Sequence, residues 1–262
     1  MFAFLHAVGG VDLAFTDRHG GVSEGPWESL NLGTSNGDES DRVRRNLDLV
    51  ADAFQSDPRS MVRMSQFHGR EVHVVGGPDA APGSGSDVHS LGGQPPGAVS
   101  VPAADVLVTA AAGVTLLVRV ADCVPVVVVD EIAGVVGVVH AGRKGMAADV
   151  VGSAVQKMRE MGARQLTAWV GPRACGRCYE VPARMRADVA ALVPESWSTT
   201  SWGTPSLDIG AGVMAQLDAR GVVAHDLAET MNACTIENDD FYSYRRQGQR
   251  SGRSAGLVRW RP

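Results

Sequence analysis

Three short stretches of this 262-residue chain place a metal-ligating side chain beside the end of an apolar run. His68 lies in Gln66-Phe67-His68-Gly69, Cys123 in Ala121-Asp122-Cys123, and His140 in His140-Ala141-Gly142. Val114 to Val120, Pro125 to Asp130 and Val135 to Val139 are valine-rich, bounded by breakers, and read as buried strands. Only Glu131 to Gly134 separates the second from the third, which predicts a hairpin. Residues equally far from a hairpin turn face each other, so a turn centred near position 132 makes Cys123 and His140 neighbours. One Cys with two His is a ligand set for catalytic zinc, and three protein ligands leave the fourth tetrahedral position open for water or substrate. A metal-free Cys–His nucleophilic pair uses the same atoms, and a buried cysteine that only packs is a third reading. Asp122 is the general acid or base candidate beside the thiol, with a turn or cap carboxylate as the plainer alternative. Arg18 and Arg119 are candidate anion binders, each to be weighed against a solvated surface charge.

Other reactive residue types are less organised. Cys175-Gly176-Arg177-Cys178 is half of a zinc ribbon or a redox motif. No second pair follows it, so a structural loop is favoured, and Cys234 reads as a packing residue. His6, His73, His89 and His225 are isolated and read as surface or satisfied histidines; His19, in Arg18-His19-Gly20-Gly21, is open to either reading.

The elements that must carry these residues follow from periodicity. Val43, Leu47, Val50, Ala51 and Phe54 recur at three- and four-residue steps, predicting a helix over 41–54 with Asp38 or Ser40 as its cap. A short strand is expected at 71–75. Ala147, Val150, Val151, Ala154, Val155 and Met158 predict a helix that Gly162 ends. A strand at Leu166 to Val170, helices at Arg184 to Leu192 and Ile209 to Ala219, and strands at Phe241 to Tyr244 and Ala255 to Trp260 complete the pattern. Asp208 is the expected N-cap of the second of those helices. Strands and helices mix without strict βαβ alternation, which favours a layered α/β fold with mixed sheets over a Rossmann sheet. Residues 1–262 read as one domain, with the Gly-, Ser- and Pro-rich stretch 82–97 as a flexible loop within it.

Bulk properties narrow the function. Apolar residues make up 44% and charged residues 20% of the chain, as in an ordinary globular protein. A net charge of −5 gives no reason to expect nucleic acid or an anionic membrane as partner. No protein partner is called for. The N-terminal stretch lacks the basic flank and clean apolar run of a signal peptide, so a cytoplasmic location and reduced thiols are expected.

Taken in order, the motifs resemble the bacterial YfiH/YlmD-type family. Its members are variously named laccase-domain proteins, multicopper polyphenol oxidases, purine nucleoside phosphorylases and peptidoglycan editing factors. The resemblance runs over nearly the whole chain. It covers Thr16 to Ser23, Ser29 to Gly33, Gln66 to Gly69, Ala121 to Cys123 with Pro125, Val139 to Gly142 and Gly171-Pro172. It continues through Cys178 to Val181, Cys234-Thr235 and Ser243 to Arg246. It implies a four-layer α/β/β/α (α+β) fold with mixed sheets, similar to the catalytic domain of cytotoxic necrotising factor toxins. It implies Zn2+ on His68, Cys123 and His140, with copper able to take the site in vitro. It also implies a transferase and hydrolase acting on nucleoside and phosphate: phosphorolysis of adenosine, inosine, guanosine and methylthioadenosine, and adenosine deamination. Arg18, Asn31, Gln66, Arg119 and Lys144 are then the candidate substrate- and phosphate-binding residues. Copper-dependent phenol oxidation, thiol hydrolysis by Cys123 with His140, and editing of peptidoglycan precursors are the competing functions. The chain departs from the family pattern at Arg143-Lys144, where Trp-Arg is usual, at Leu47, where Arg is common, and at Asn232, where Asp is usual. These departures bear on phosphate affinity and substrate choice and leave the zinc ligands untouched.

Overall fold

A computed structural model of the chain describes residues 1–76 and 101–261. The expected loop at 82–97 and the isolated His89 lie outside the described residues. In chain order the strands are β1 Phe2–Val8, β2 Val11–Thr16, β3 Met61–Val62, β4 Val72–Val74, β5 Val106–Thr109, β6 Thr115–Val120, β7 Val124–Asp130, β8 Val135–Ala141, β9 Thr167–Val170, β10 Trp197–Thr199, β11 Pro205–Leu207, β12 Val223–Asp226 and β13 Ser254–Trp260. The α-helices are α1 Ser40–Ala53, α2 Arg143–Ala147, α3 Val150–Glu160, α4 Ala183–Ala190, α5 Ile209–Asp218, α6 Ala228–Met231 and α7 Tyr244–Gln247.

Two large mixed sheets form. One runs β1-β2-β13-β6-β3, the other β12-β9-β7-β8-β5-β4. Side-chain alternation along the valine-rich hairpin explains how they stack. Val127, Val129, Val136 and Val138 point between the sheets, against Leu13, Phe15, Leu116 and Val118. The alternate residues Val124, Val126, Val128, Val135 and Val139 face Val151, Ala154, Val155 and Met158 of α3 and Val213 and Leu217 of α5. On the far side, Val43, Leu47 and Val50 of α1 cover Ala14, Leu117 and Leu257. The result is the expected α/β/β/α stack. Both faces of the hairpin are buried, which is why its sequence reads as continuous valine and not as an alternating pattern. Among the described residues no helix is long and apolar enough to cross a membrane.

The hairpin is anchored where it turns. The buried Asp130 carboxylate accepts from the amides of Ile132 (3.1 Å) and Ala133 (2.9 Å) in the turn and of Arg164 (2.6 Å) and Gln165 (2.8 Å) before β9. Burial pushes its pKa up, but the four amides outweigh this and hold it below the ordinary carboxylate value. A depressed carboxylate adds stability above its unfolded pKa of about 3.9 and loses it as pH falls through the lower folded value. Asp130→Asn is therefore expected to cost about 2–3 kcal/mol at neutral pH. The deficit should shrink in denaturant titrations carried below about pH 4; a deficit constant with pH would refute the assignment.

Some sequence expectations need correction. Neither Asp38 nor Ser40 caps α1 through its side chain: Glu39 is the cap residue and makes no side-chain capping bond. Asp38 is instead drawn away to Ser23 (2.6 Å) and Asn31 (2.8 Å). The single helix expected from Ala147 is two, because Asp149 adopts a left-handed conformation (φ 63°) and caps α3 by accepting from Gly152 N. Phe241 to Tyr244 is not a strand. Phe241 and Tyr242 are buried without ladder partners, Tyr242 Oη donates to the Trp27 carbonyl, and Ser243 caps α7. Aromatic burial alone imitated a strand there. By contrast, Asp208 caps α5 as expected, accepting from Ala211 N.

Candidate active site

The hairpin register pairs Val124 with Ala141 and Pro125 with His140. One step further along the ladder, Cys123 lies opposite Gly142, two places from the partner expected. The thiol and imidazole are nevertheless diagonal neighbours, and Gly142 makes room for them. A Cβ on residue 142 would lie 2.5 Å from His68 Cδ2 and 3.1 Å from Cys123 Sγ, so only glycine fits. His68 enters from the segment after β3 with a positive φ of 66°, and Asp122 has φ 92°. The ligand atoms of His68, Cys123 and His140 all lie within 4.8 Å of one another. Cys123 Sγ is 3.7 Å from His68 Nε2, and the two imidazole rings meet edge to face with centroids 4.8 Å apart. The donor set and the glycine-cleared space fit a tetrahedral Zn2+ with one open position.

The group that holds both histidines is Asp105, which sequence reading missed. β5 pairs with β8 antiparallel, Val106 with Val139, so Asp105 lies opposite His140 and its carbonyl accepts the His140 amide at 2.8 Å. The fully buried Asp105 carboxylate accepts from His140 Nδ1 (2.7 Å) and from the amides of His68 (3.0 Å), Gly69 (2.7 Å) and Phe67 (3.3 Å). One carboxylate thus fixes the ring of one ligand and the backbone of another, leaving His140 Nε2 for the site. An available signal was the lone acid at the foot of the apolar run Val106-Leu107-Val108: a ligating histidine usually donates its second nitrogen to a carboxylate or carbonyl. Burial pushes the Cys123 thiol up, but the facing His140 and a hydrogen bond with His68 bring it well below its ordinary value. Burial disfavours charge on His140, yet the thiolate and Asp105 raise its pKa. Both shifts favour charge on the pair, and a metal would take the place of the proton.

These ligands border a cavity of about 650 Å³. Its wall carries four arginines, Arg119, Arg143, Arg245 and Arg253, with the aromatic rings of Tyr179 and Tyr244. None of the four pairs with a carboxylate among the described residues. Arg119 donates to Thr34 Oγ1 (2.8 Å) and the Met64 carbonyl (3.1 Å), Arg245 to the Glu180 carbonyl (2.7 Å), and Arg253 to the carbonyls of Ser251 and Gly252. Burial, with the neighbouring charges of Arg63 and Arg253, brings Arg119 down to about 10. Four cations share the cavity with one carboxylate, Asp122, and the surplus of positive charge suits an anion.

The structure brings Gln66, Arg119 and Asp122 to this cavity with the three ligands. Gln66 pairs both ends of its amide with the Arg119 backbone (Nε2 to O 2.7 Å, N to Oε1 3.0 Å), so it positions that arginine. Asp122 supplies the cavity's carboxylate, and its oxygens accept from Thr235 Oγ1 (2.7 Å) and Arg245 N (2.6 Å). Arg18, Asn31 and Lys144 lie outside the lining. Arg18 donates to the Glu28 carbonyl and stacks over Tyr242, and Lys144 is exposed. Asn31 is buried and acts at one remove, accepting the Arg253 amide at 2.9 Å. Arg143, marked by the sequence only as a departure from the family pattern, also lines the cavity, as do Tyr179, Arg245 and Arg253, which sequence reading did not assign to the site because a single Arg or Tyr carries no periodic signal. Of the departures from the family pattern, only Arg143 faces the cavity. Leu47 is core beneath α1, and Asn232 takes a left-handed turn (φ 46°) that asparagine tolerates.

Residues 12–261 match the protein family described as multi-copper polyphenol oxidoreductase laccase. A Streptomyces griseus protein named purine nucleoside phosphorylase ORF3 is 46% identical over 252 residues, covering 95% of this chain and 94% of its own. A Corynebacterium glutamicum protein, also named a purine nucleoside phosphorylase, is 41% identical and covers 95% and 93%. Among solved structures, YlmD from Geobacillus stearothermophilus aligns with a TM-score of 0.79 at 30% identity, covering 97% of this chain and 93% of that one. The hypothetical protein YfiH of Bacillus licheniformis aligns with a TM-score of 0.81 at 28% identity, covering 96% and 93%.

Proposed function

The chain belongs to the multi-copper polyphenol oxidoreductase laccase family, and from that membership we propose that it is a zinc-dependent purine nucleoside phosphorylase with adenosine deaminase activity at the same site. The carrying observation is an open His–Cys–His donor set bordering a cavity lined by four arginines without carboxylate partners. Relatives named purine nucleoside phosphorylase support the same reading.

Phosphorolysis needs phosphate held against C1′ of the ribose. A phosphate oxygen bonds to C1′, the C1′–N9 bond breaks with its electron pair going to the purine, and the base leaves after taking a proton. In this reading Arg119, Arg143, Arg245 and Arg253 gather the phosphate, as guanidinium forks match phosphate oxygens. Tyr179 and Tyr244 offer faces on which a purine stacks. Asp122 is the carboxylate placed to move a proton. His68, Cys123 and His140 would hold Zn2+, which supplies Lewis acidity to the reacting groups. Adenosine, inosine, guanosine and methylthioadenosine are the expected substrates.

The test is incubation of purified protein with adenosine, with and without phosphate, and chromatography of the products. Adenine and ribose 1-phosphate should form only with phosphate, and inosine in either case. A zinc-loaded protein that forms neither would refute the proposal. Arg253→Gln should raise the KM for phosphate roughly 10–100-fold, the loss of one or two charge-assisted bonds, and leave the KM for adenosine nearly unchanged. Equal effects on both substrates would place Arg253 outside the phosphate site.

The family's description as a multi-copper polyphenol oxidoreductase makes copper-dependent phenol oxidation the second reading. It needs several centres rich in histidine. The other described histidines are dispersed: His6 and His225 lie beside Trp169, His19 bonds Asp240, and His73 is on β4. Many turnovers of a phenol per bound copper, lost in the ligand variants, would favour it over the nucleoside reading.

A further inference from the structure

The C-x-x-C motif, which read as a structural loop, does not stand alone in the fold. Its partner is not a second pair but Cys234 with Glu237. Arg173 and Cys234 form an isolated parallel bridge, in which Arg173 N donates to the Ala233 carbonyl (3.1 Å) and Thr235 N to the Arg173 carbonyl (3.0 Å). The bridge sets the segment before Cys175 beside the segment entering Cys234. The Cys175 carbonyl then accepts the amides of both Cys178 and Tyr179 at 3.0 Å, a tight turn that brings the two thiols of the motif together. The Cys234 carbonyl likewise accepts the amides of Glu237 (3.2 Å) and Asn238 (2.9 Å), turning the Glu237 side chain back over the thiols. The ligand atoms of Cys175, Cys178, Cys234 and Glu237 consequently all lie within 4.8 Å of one another. Cys178 and Cys234 are buried, Cys175 is partly exposed, and Glu237 closes the group from the solvent side. The backbone N–H of Cys175 donates to Cys234 Sγ at 3.5 Å, which ties the third thiol to the start of the motif.

We propose that Cys175, Cys178, Cys234 and Glu237 form a second metal site, a structural tetrahedral Zn2+ centre separate from the His68–Cys123–His140 set. Three thiolates and a carboxylate are a soft donor set with no geometric demand beyond four-fold closure, which suits a d¹⁰ ion. Binding releases three thiol protons to solvent, and the Arg177 guanidinium, 4.0 Å from Glu237 Oε2, offsets part of the resulting negative charge. With all four positions taken by protein there is no place for substrate. The role is bracing. Ala174 N donates to the Asp122 carbonyl (3.0 Å) and Thr235 Oγ1 to the Asp122 carboxylate (2.7 Å), so the two segments the ion joins are those that grip the turn before Cys123. Ala174 and Tyr179, on either side of the motif, line the active-site cavity.

The experiment is zinc content per chain in protein purified with zinc and reductant, comparing wild type, Cys123→Ala, Cys178→Ser with Cys234→Ser, and the triple variant. Two, one, one and zero equivalents are expected. Cys123→Ala that retains no zinc would overturn the proposal. So would a disulfide among Cys175, Cys178 and Cys234 in wild type alkylated without reductant. Should the Cys178/Cys234 variant fail to fold, cobalt loaded into Cys123→Ala decides the question. An intense thiolate-to-cobalt charge-transfer band with tetrahedral visible bands supports the site, and their absence overturns it. Stripping zinc from Cys123→Ala with a chelator should lower Tm by roughly 5 °C or more. Because the zinc, cobalt and Tm readings are taken in Cys123→Ala and the disulfide reading concerns only Cys175, Cys178 and Cys234, the outcome is independent of what the first site binds or catalyses.

Discussion

Cys123→Ala is expected to retain less than about one-thousandth of wild-type nucleoside turnover, a loss of about 4 kcal/mol in transition-state stabilisation. It should also lose metal from the site it shares with His68 and His140. The variant removes one of three ligands whose donor atoms lie within 4.8 Å, and two imidazoles alone are a weak site. The fold should survive. Asp105 still binds His140 Nδ1, and the amides of residues 67–69 still reach its carboxylate. Circular dichroism and Tm near the wild-type values check this. A chelator separates metal chemistry from a thiol nucleophile using the same residues. Wild type should lose turnover on chelation and regain it with zinc, whereas a Cys–His hydrolase would be indifferent. Turnover unchanged in Cys123→Ala would sink the active-site assignment altogether.

Asp105→Asn is expected to weaken zinc binding at that site roughly 10–100-fold, the usual effect of losing the carboxylate behind a ligating histidine. It should also cost about 3 kcal/mol of stability. The substitution keeps the shape and alters only the hydrogen-bonding character. All four groups that meet the carboxylate are donors: the His140 ring N–H and the amides of Phe67, His68 and Gly69. An asparagine offers one acceptor oxygen and an NH2 that must face a donor, at a fully buried position. Zinc titration against a competing chelator and denaturant unfolding give the two readings. If stability falls and zinc affinity does not, Asp105 is a packing residue and not the support of His140.

The hairpin was legible because its residues answer to one local rule. Valine runs on either side of a four-residue breaker state where the turn is, and the turn states which thiol and imidazole end up close. The ladder centres midway between Ile132 and Ala133, one residue beyond the centre that would set Cys123 opposite His140, and a shift of one in the centre moves the partner by two. What no local rule carries is which distant strand lies alongside. Asp105 faces His140 because β5 joins the sheet beside β8, and Cys234 meets Cys175 through a single bridge between loops. Cys234 was read as a packing residue on its own neighbours, correctly as to burial and incompletely as to company. The cavity arginines come from widely separated segments, and Arg18 and Lys144 were singled out by motif while Arg143 and Arg253 face the cavity. The strands at Phe2–Val8, Val11–Thr16 and Val223–Asp226 were passed over: the first and last are exposed or half-buried along their length, and the Gly9-Gly10 turn was the signal that could have found the first two as a hairpin.

The strand order of the first sheet has a consequence for how the chain reaches its native state. β13, residues 254–260, lies between β2 and β6 and pairs with both. Until it is in place, β2 and β6 present bare edges to each other across a gap one strand wide, and unpaired edges invite association between molecules. Closing that gap demands contacts spanning more than two hundred residues, the kind that form slowly. During synthesis the thiols and imidazoles are therefore made long before the wall bearing Arg253 can lean over them. A chain that stops before residue 254 is expected to expose both edges and to associate more readily than the whole chain.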